Sequence, residues 1–156
     1  MQTVYLETSV IGYLASRRSS DLVVAANQLL TFEWWTDHRS KFELFASQAT
    51  VDECAAGDVV AARERLVFLD GLPILSVDSQ TLVLAEALMK HVGLPEKAGV
   101  DAIHIVTAAQ NKIDYLLTWN CKHIANPSFR HRIDQVLSDY GFASPVICTP
   151  QELLNV

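Results

Sequence analysis

Short apolar runs recur along this chain, and the segments between them are too long for hairpins. Thr3–Leu6, Phe42–Ala46, Ile74–Val77, Tyr115–Leu117 and Val146–Cys148 each have the length and β-type content of a buried strand. Neighbouring strands joined by long crossovers run parallel, because an antiparallel pair needs only a tight turn. The pattern therefore predicts an α/β domain with a mainly parallel sheet.

The intervening segments carry helical signals. Leu22–Trp35 has apolar residues at three- and four-residue spacing, starting after Asp21. Ser47 caps a helix over Gln48–Ala56, with Gly57 as its stop, and Asp58 caps the next to about Leu69. Asp78 caps a helix to about His91. After the loop Gly93-Leu-Pro-Glu-Lys, a further helix runs from about Ala98 to Gln110. Asn126-Pro127 is a cap followed by proline in the first turn of a helix reaching Tyr140. Thr149 and Glu152 form a capping box after the last strand. No repeat or linker interrupts the chain, so residues 1–156 read as one domain.

Composition excludes several classes. Hydrophobic residues make up 50% and charged residues 19%, which is globular rather than disordered. The 18 acids exceed the 12 Lys and Arg, for a net charge of −6, so tight, unspecific binding of nucleic acid by a broad basic face is not expected. The 3 cysteines, Cys54, Cys121 and Cys148, have no CxxC spacing and read as buried free thiols of a reducing compartment. The start, MQTVYLETSV, lacks the basic and apolar regions of a signal peptide, and no apolar stretch approaches about 18 residues. A cytoplasmic protein with no membrane segment is the expectation.

Ligand sites of open α/β sheets lie beyond the carboxyl ends of the strands. There the sequence places Glu7, Thr8 and Ser9 after the first run, and Thr118, Trp119 and Asn120 after Tyr115–Leu117. Two acids sit in apolar helical surroundings: Asp101 in VDAIHIVTAA and Glu53 in ATVDECAAG. Buried acids need partners, and clustering around a cation is one solution. Three carboxylates and the Asn120 carboxamide are hard oxygen ligands suited to Mg²⁺ or Mn²⁺, and such a site supports phosphodiester hydrolysis. In this reading Glu7, Asp101 and Asn120 hold the metal directly or through water, and Glu53 orients or deprotonates a water. Ser9 and Thr118 hydrogen-bond the carboxylates or the scissile phosphate.

With these residues in this order, the chain resembles the PIN-domain nucleases, which include the VapC-like toxins of bacterial toxin–antitoxin pairs. The resemblance rests on YLETSVIGYL, VDECAAGD, VDAIHIVTAA and YLLTWNCKHIANP, and covers almost the whole chain. It implies a three-layer α/β/α fold, metal-dependent endonucleolytic cleavage of RNA, a homodimer, and an antitoxin as partner. The residues that match the family's acidic positions are Glu7, Glu53, Asp101 and Asn120. Two depart from the usual pattern. Glu7 stands where aspartate is usual, moving its carboxylate by about 1.5 Å. Asn120 supplies no charge, forgoing on the order of 4 kcal/mol of gross attraction at about 4 Å and dielectric about 20.

Those departures sustain an alternative, a PIN-like module with weak or no catalysis that binds RNA or protein. A small-molecule phosphohydrolase is a third reading, without a recognisable nucleophile motif. Blander roles stand beside each site residue: Asp101 as a helix cap, Glu53 as a solvated residue with Asp52 turned inward instead, Glu7 paired with a base, Asn120 in a turn. His104 shares a helix face with Asp101 and reads more readily as a satisfied core histidine than as an RNA contact. Of Trp34 and Trp35, one ring is expected in the core and the other is available to a partner.

Overall fold

A computed structural model describes residues 1–156. The strands are β1 (Gln2–Leu6), β2 (Phe42–Ser47), β3 (Ile74–Leu75), β4 (Tyr115–Leu117) and β5 (Val146–Cys148). Between them run α1 (Thr8–Ala15), α2 (Leu22–Glu33), α3 (Gln48–Ala55), α4 (Val59–Val67), α5 (Ser79–Val92) and α6 (Gly99–Gln110), while α7 (Pro127–Asp139) joins β4 to β5. All strand pairs are parallel, in the spatial order β3-β2-β1-β4-β5. The α/β class expected from the alternating pattern is the one observed.

Strand side chains alternate between the faces of the sheet, and each face has its own core. Tyr5, Leu116 and Ile147 point to one side, where they meet Leu84, Leu88 and Val92 of α5, Ile105 of α6 and Leu137 of α7. Val4, Leu6, Leu44, Leu117 and Cys148 point to the other, against Val10 and Ile11 of α1, Cys54 of α3 and Trp34. Helices thus cover both faces, giving three layers. The β1–β4 register, Tyr5 opposite Leu116 and Leu6 opposite Leu117, keeps each residue with its own core.

The helix caps lie where the side-chain chemistry puts them. Asp58 accepts from the Ala61 amide, Asn126 from that of Ser128, and Asp78 and Thr81 form a reciprocal capping box. Gly93 closes α5 in the left-handed region, φ 80°, which disfavours a side chain.

Several expectations need correction. The helix α1 was not anticipated, because its sequence holds Gly12 beside the β-branched Thr8, Val10 and Ile11, all modest helix formers. Ile74–Val77 contracts to Ile74–Leu75, an edge strand pairing only with Ala46 and Ser47. The regular part of α2 stops at Glu33, and Trp34–His38 continue as a wider π-helical turn. That turn buries Trp34 completely, whereas Trp35 lies half-buried with Arg39 over its ring at 4.2 Å. Cys54 and Cys148 are buried free thiols, but Cys121 is exposed. No helix is long and apolar enough to cross a membrane.

Candidate metal centre at the sheet switch point

From β1 the sheet grows one way through β2 and β3 and the other way through β4 and β5. The reversal leaves a crevice at the carboxyl ends of β1 and β4, where open sheets bind ligands. Glu7 leaves β1 there, its amide still bonded to the Leu117 carbonyl at 3.1 Å. It is the N-cap of α1 and is only 4% exposed. Its Oε2 accepts from the Ser9 amide at 3.1 Å, from the Ser9 hydroxyl, and from the Thr118 hydroxyl at 2.7 Å. Ser9 Oγ also accepts from the Trp119 amide at 2.8 Å, and Thr118 Oγ1 from the Asn120 amide at 2.9 Å. The two oxygen-rich segments are therefore knitted together around one carboxylate. Its partners are neutral, apart from the helix dipole.

Glu53 enters from α3. Its Oε1 accepts from Thr8 Oγ1 at 2.6 Å and is 2.6 Å from His104 Nε2 on α6. Burial alone would raise its pKa, but these two contacts outweigh burial and hold it below its ordinary value. Neighbouring Asp52 faces outward, bonded to Gln48 at 2.8 Å, so the inward role falls to Glu53. Ligand atoms of Glu7, Glu53 and His104 lie within 4.8 Å of one another.

Asp101 and Asn120 lie outside that trio and converge on His123. Asp101 sits in the first turn of α6, one turn from His104, with Oδ2 3.0 Å from His123 Nδ1. Asn120 Oδ1 accepts from the His123 amide at 3.0 Å, shaping the loop after β4. The carboxamide oxygen is thus partly committed to its own backbone.

A common pattern links the acids. Each gives one oxygen to the protein and keeps the other without a hydrogen bond: Oε1 of Glu7, Oε2 of Glu53, Oδ1 of Asp101. None of these free oxygens is sealed in the interior, since the buried side-chain atoms without partners are Trp34 Nε1, Arg130 Nε and Ser144 Oγ. The acids' only basic contacts are His104 on Glu53 and His123 on Asp101. No Lys or Arg neutralises the site, so Glu7 lacks the basic partner that a purely structural role would supply.

Residues 4–121 match the model of the PIN domain. The chain belongs to the PIN-domain family. No curated protein matches the sequence. Among solved structures, this PIN domain is similar to a chain of the crystal structure of VapBC2 from Rickettsia felis bound to a DNA fragment from their promoter. The similarity has a TM-score of 0.57 at 13% identity, over 95% of this chain and 98% of that one. At that identity the likeness speaks for the fold, and the fold agrees.

Sequence reasoning did not identify the supporting set: Thr8 on Glu53, His123 on Asp101, and Tyr5 and Ser47 behind His104. The only sequence signal for Tyr5 was a hydroxyl within an otherwise apolar strand. Thr8 stands beside Glu7, and His123, three residues after Asn120 at the same sheet edge, reads from sequence as a candidate phosphate contact rather than as a partner of Asp101.

Proposed function

We propose that this PIN domain is an Mg²⁺- or Mn²⁺-dependent endoribonuclease of the cytoplasm. One observation carries the proposal: the carboxylates of Glu7 and Glu53 meet at the switch point, each with one free oxygen and no Lys or Arg partner, and Asp101 repeats that pattern one turn of α6 before His104. Acids gathered in this way are stabilised by a divalent cation with oxygen preference, and the donor set fits one. Glu7, Asp101 and Asn120 would hold it, directly or through water, Asn120 by the lone pair that His123 leaves free. When bound, the cation supplies Lewis-acid polarisation of a phosphodiester and a more acidic water.

The chain's own residues do the rest. Glu53 is ionised at neutral pH, and its free Oε2 accepts the proton of an attacking water. Its other oxygen, Oε1, accepts from the Thr8 hydroxyl. Ser9 and Thr118 hold Glu7 in place and limit the rearrangement that accompanies substrate entry. The likeness to VapBC2 favours a toxin–antitoxin setting with an antitoxin as partner, and a homodimer is the working form that the family resemblance implies.

The test is cleavage of RNA with Mg²⁺ or Mn²⁺ present. Asp101→Asn is expected to lower the rate at least about a hundredfold. Activity that is independent of both metal and Asp101 would refute the proposal. A second reading, a binding module with feeble catalysis, is favoured by the commitment of Asn120 Oδ1 to the His123 amide. Under that reading, placing Asp at positions 7 and 120 creates cleavage absent from the unaltered protein.

A further inference from the structure

Behind Glu53 runs a buried chain of polar groups that the proposed chemistry does not itself require. Ser47 Oγ lies 2.6 Å from the Tyr5 hydroxyl, which lies 2.6 Å from His104 Nδ1; His104 Nε2 lies 2.6 Å from Glu53 Oε1. Tyr5, Ser47 and His104 are all fully buried. Buried polar groups are retained at a cost in desolvation, so a purely apolar core would be the simpler solution at these positions.

The direction of the chain follows from which atoms have hydrogens. The Glu53 carboxylate can only accept, so His104 Nε2 donates to it. The Tyr5 phenol carries a hydrogen and can donate to Nδ1. The Thr50 hydroxyl is spent on the Leu6 carbonyl at 3.1 Å. With the Tyr5 hydrogen on Nδ1, Ser47 donates to the Tyr5 oxygen, while Ser47 Oγ accepts from the Ala49 and Thr50 amides. Both nitrogens of His104 are thereby occupied. The series ties the end of β2, the middle of β1 and the face of α6 to one oxygen of a residue on α3. From the opposite side, Thr8 of α1 donates to that same oxygen.

We infer that His104 and Tyr5 are positioning residues for Glu53: they saturate Oε1, lock the carboxylate plane and present Oε2 alone to the reaction centre. His104 accordingly is not a metal ligand, although it lies within 4.8 Å of the two glutamates, because neither of its nitrogens has a lone pair left. The inference rests on the nuclease reading above. It adds a residue pair to the working site, and it explains why a histidine occupies the position one turn after Asp101.

The experiment compares unaltered protein with His104→Leu, His104→Gln and Tyr5→Phe. Thermal unfolding, Mn²⁺ binding by calorimetry, and kcat and KM on a short RNA are measured for each. His104→Leu is expected to lower kcat about 10–100-fold with KM little changed. His104→Gln, which keeps an N–H donor, is expected to recover most of that loss. Tyr5→Phe keeps the packing and is expected to lower kcat several-fold, which covers the case in which His104→Leu does not fold. The inference is overturned if His104→Leu, or Tyr5→Phe where His104→Leu is unfolded, turns over as fast as unaltered protein. It is also overturned if His104→Gln loses Mn²⁺ as completely as His104→Leu, since the histidine is then a ligand. Failure of the unaltered protein to bind Mn²⁺ or cut RNA is a different result and overturns the nuclease reading on which the inference depends.

Discussion

A glutamate at the end of a buried strand has a longer reach than an aspartate, and in this chain the additional methylene is used. Glu7 caps its own helix through the Ser9 amide and still reaches Thr118 at the end of β4. Thr118 is fully buried and works in two directions, donating to Glu7 and accepting from the Asn120 amide. Thr118→Val keeps the shape but removes both partners, leaving a buried carboxylate oxygen and an amide less well satisfied. The expected cost is about 1–3 kcal/mol in denaturant unfolding. A loss under about 0.5 kcal/mol would show that the carboxylate does not depend on this hydroxyl. At this scale the sequence was informative about identity but not about pairing. Glu7, Glu53 and Asp101 stood out as acids in apolar surroundings. That two histidines rather than Lys or Arg attend them depends on contacts between distant residues, His104 with Glu53 and His123 with Asp101, and periodicity carries no such information.

Elements with strong local chemistry were legible and those held mainly by tertiary packing were not. The strands Tyr115–Leu117 and Val146–Cys148 have the bounds their sequence predicts, and the caps Ser47, Asp58, Asp78 and Asn126 all act as caps. The eight-residue α1 has poor helix formers and draws its stability from Val10 and Ile11 in the core beneath it. The cap of α5 gives a prediction that involves no site residue. Hydrogen bonds from the Thr81 amide, and then from its hydroxyl, hold Asp78 below its ordinary carboxylate value. Because the folded-state pKa is depressed, the stabilisation is complete above the unfolded value of about 3.9 and fades as pH falls through the folded value. Asp78→Asn still accepts from Thr81 but does not titrate in this range. Its stability is expected to decline less steeply than that of unaltered protein as pH is lowered from about 5 to 2. Circular dichroism across that range decides the matter, and parallel profiles would rule the cap out as the source.

On the scale of the whole molecule, the strand order explains why Glu7 and Glu53, far apart in sequence, share one crevice. Parallel crossovers send β1 and β4 out at the same edge, while α3 brings Glu53 in from the flanking layer and α6 brings His104 to meet it. The net charge of −6 argues against a broad basic face for nucleic acid. Part of that charge is concentrated at the switch point, where a divalent ion would invert the local sign and meet a phosphate. The most direct measurement is calorimetric titration of Mn²⁺ into unaltered protein and into Glu7→Gln, which retains the size of the side chain and removes its charge. Saturable binding by the unaltered protein, weakened at least about tenfold by Glu7→Gln, is the expected result. Equal affinity in the two proteins, or no binding by either, would contradict the account of this crevice as a metal centre.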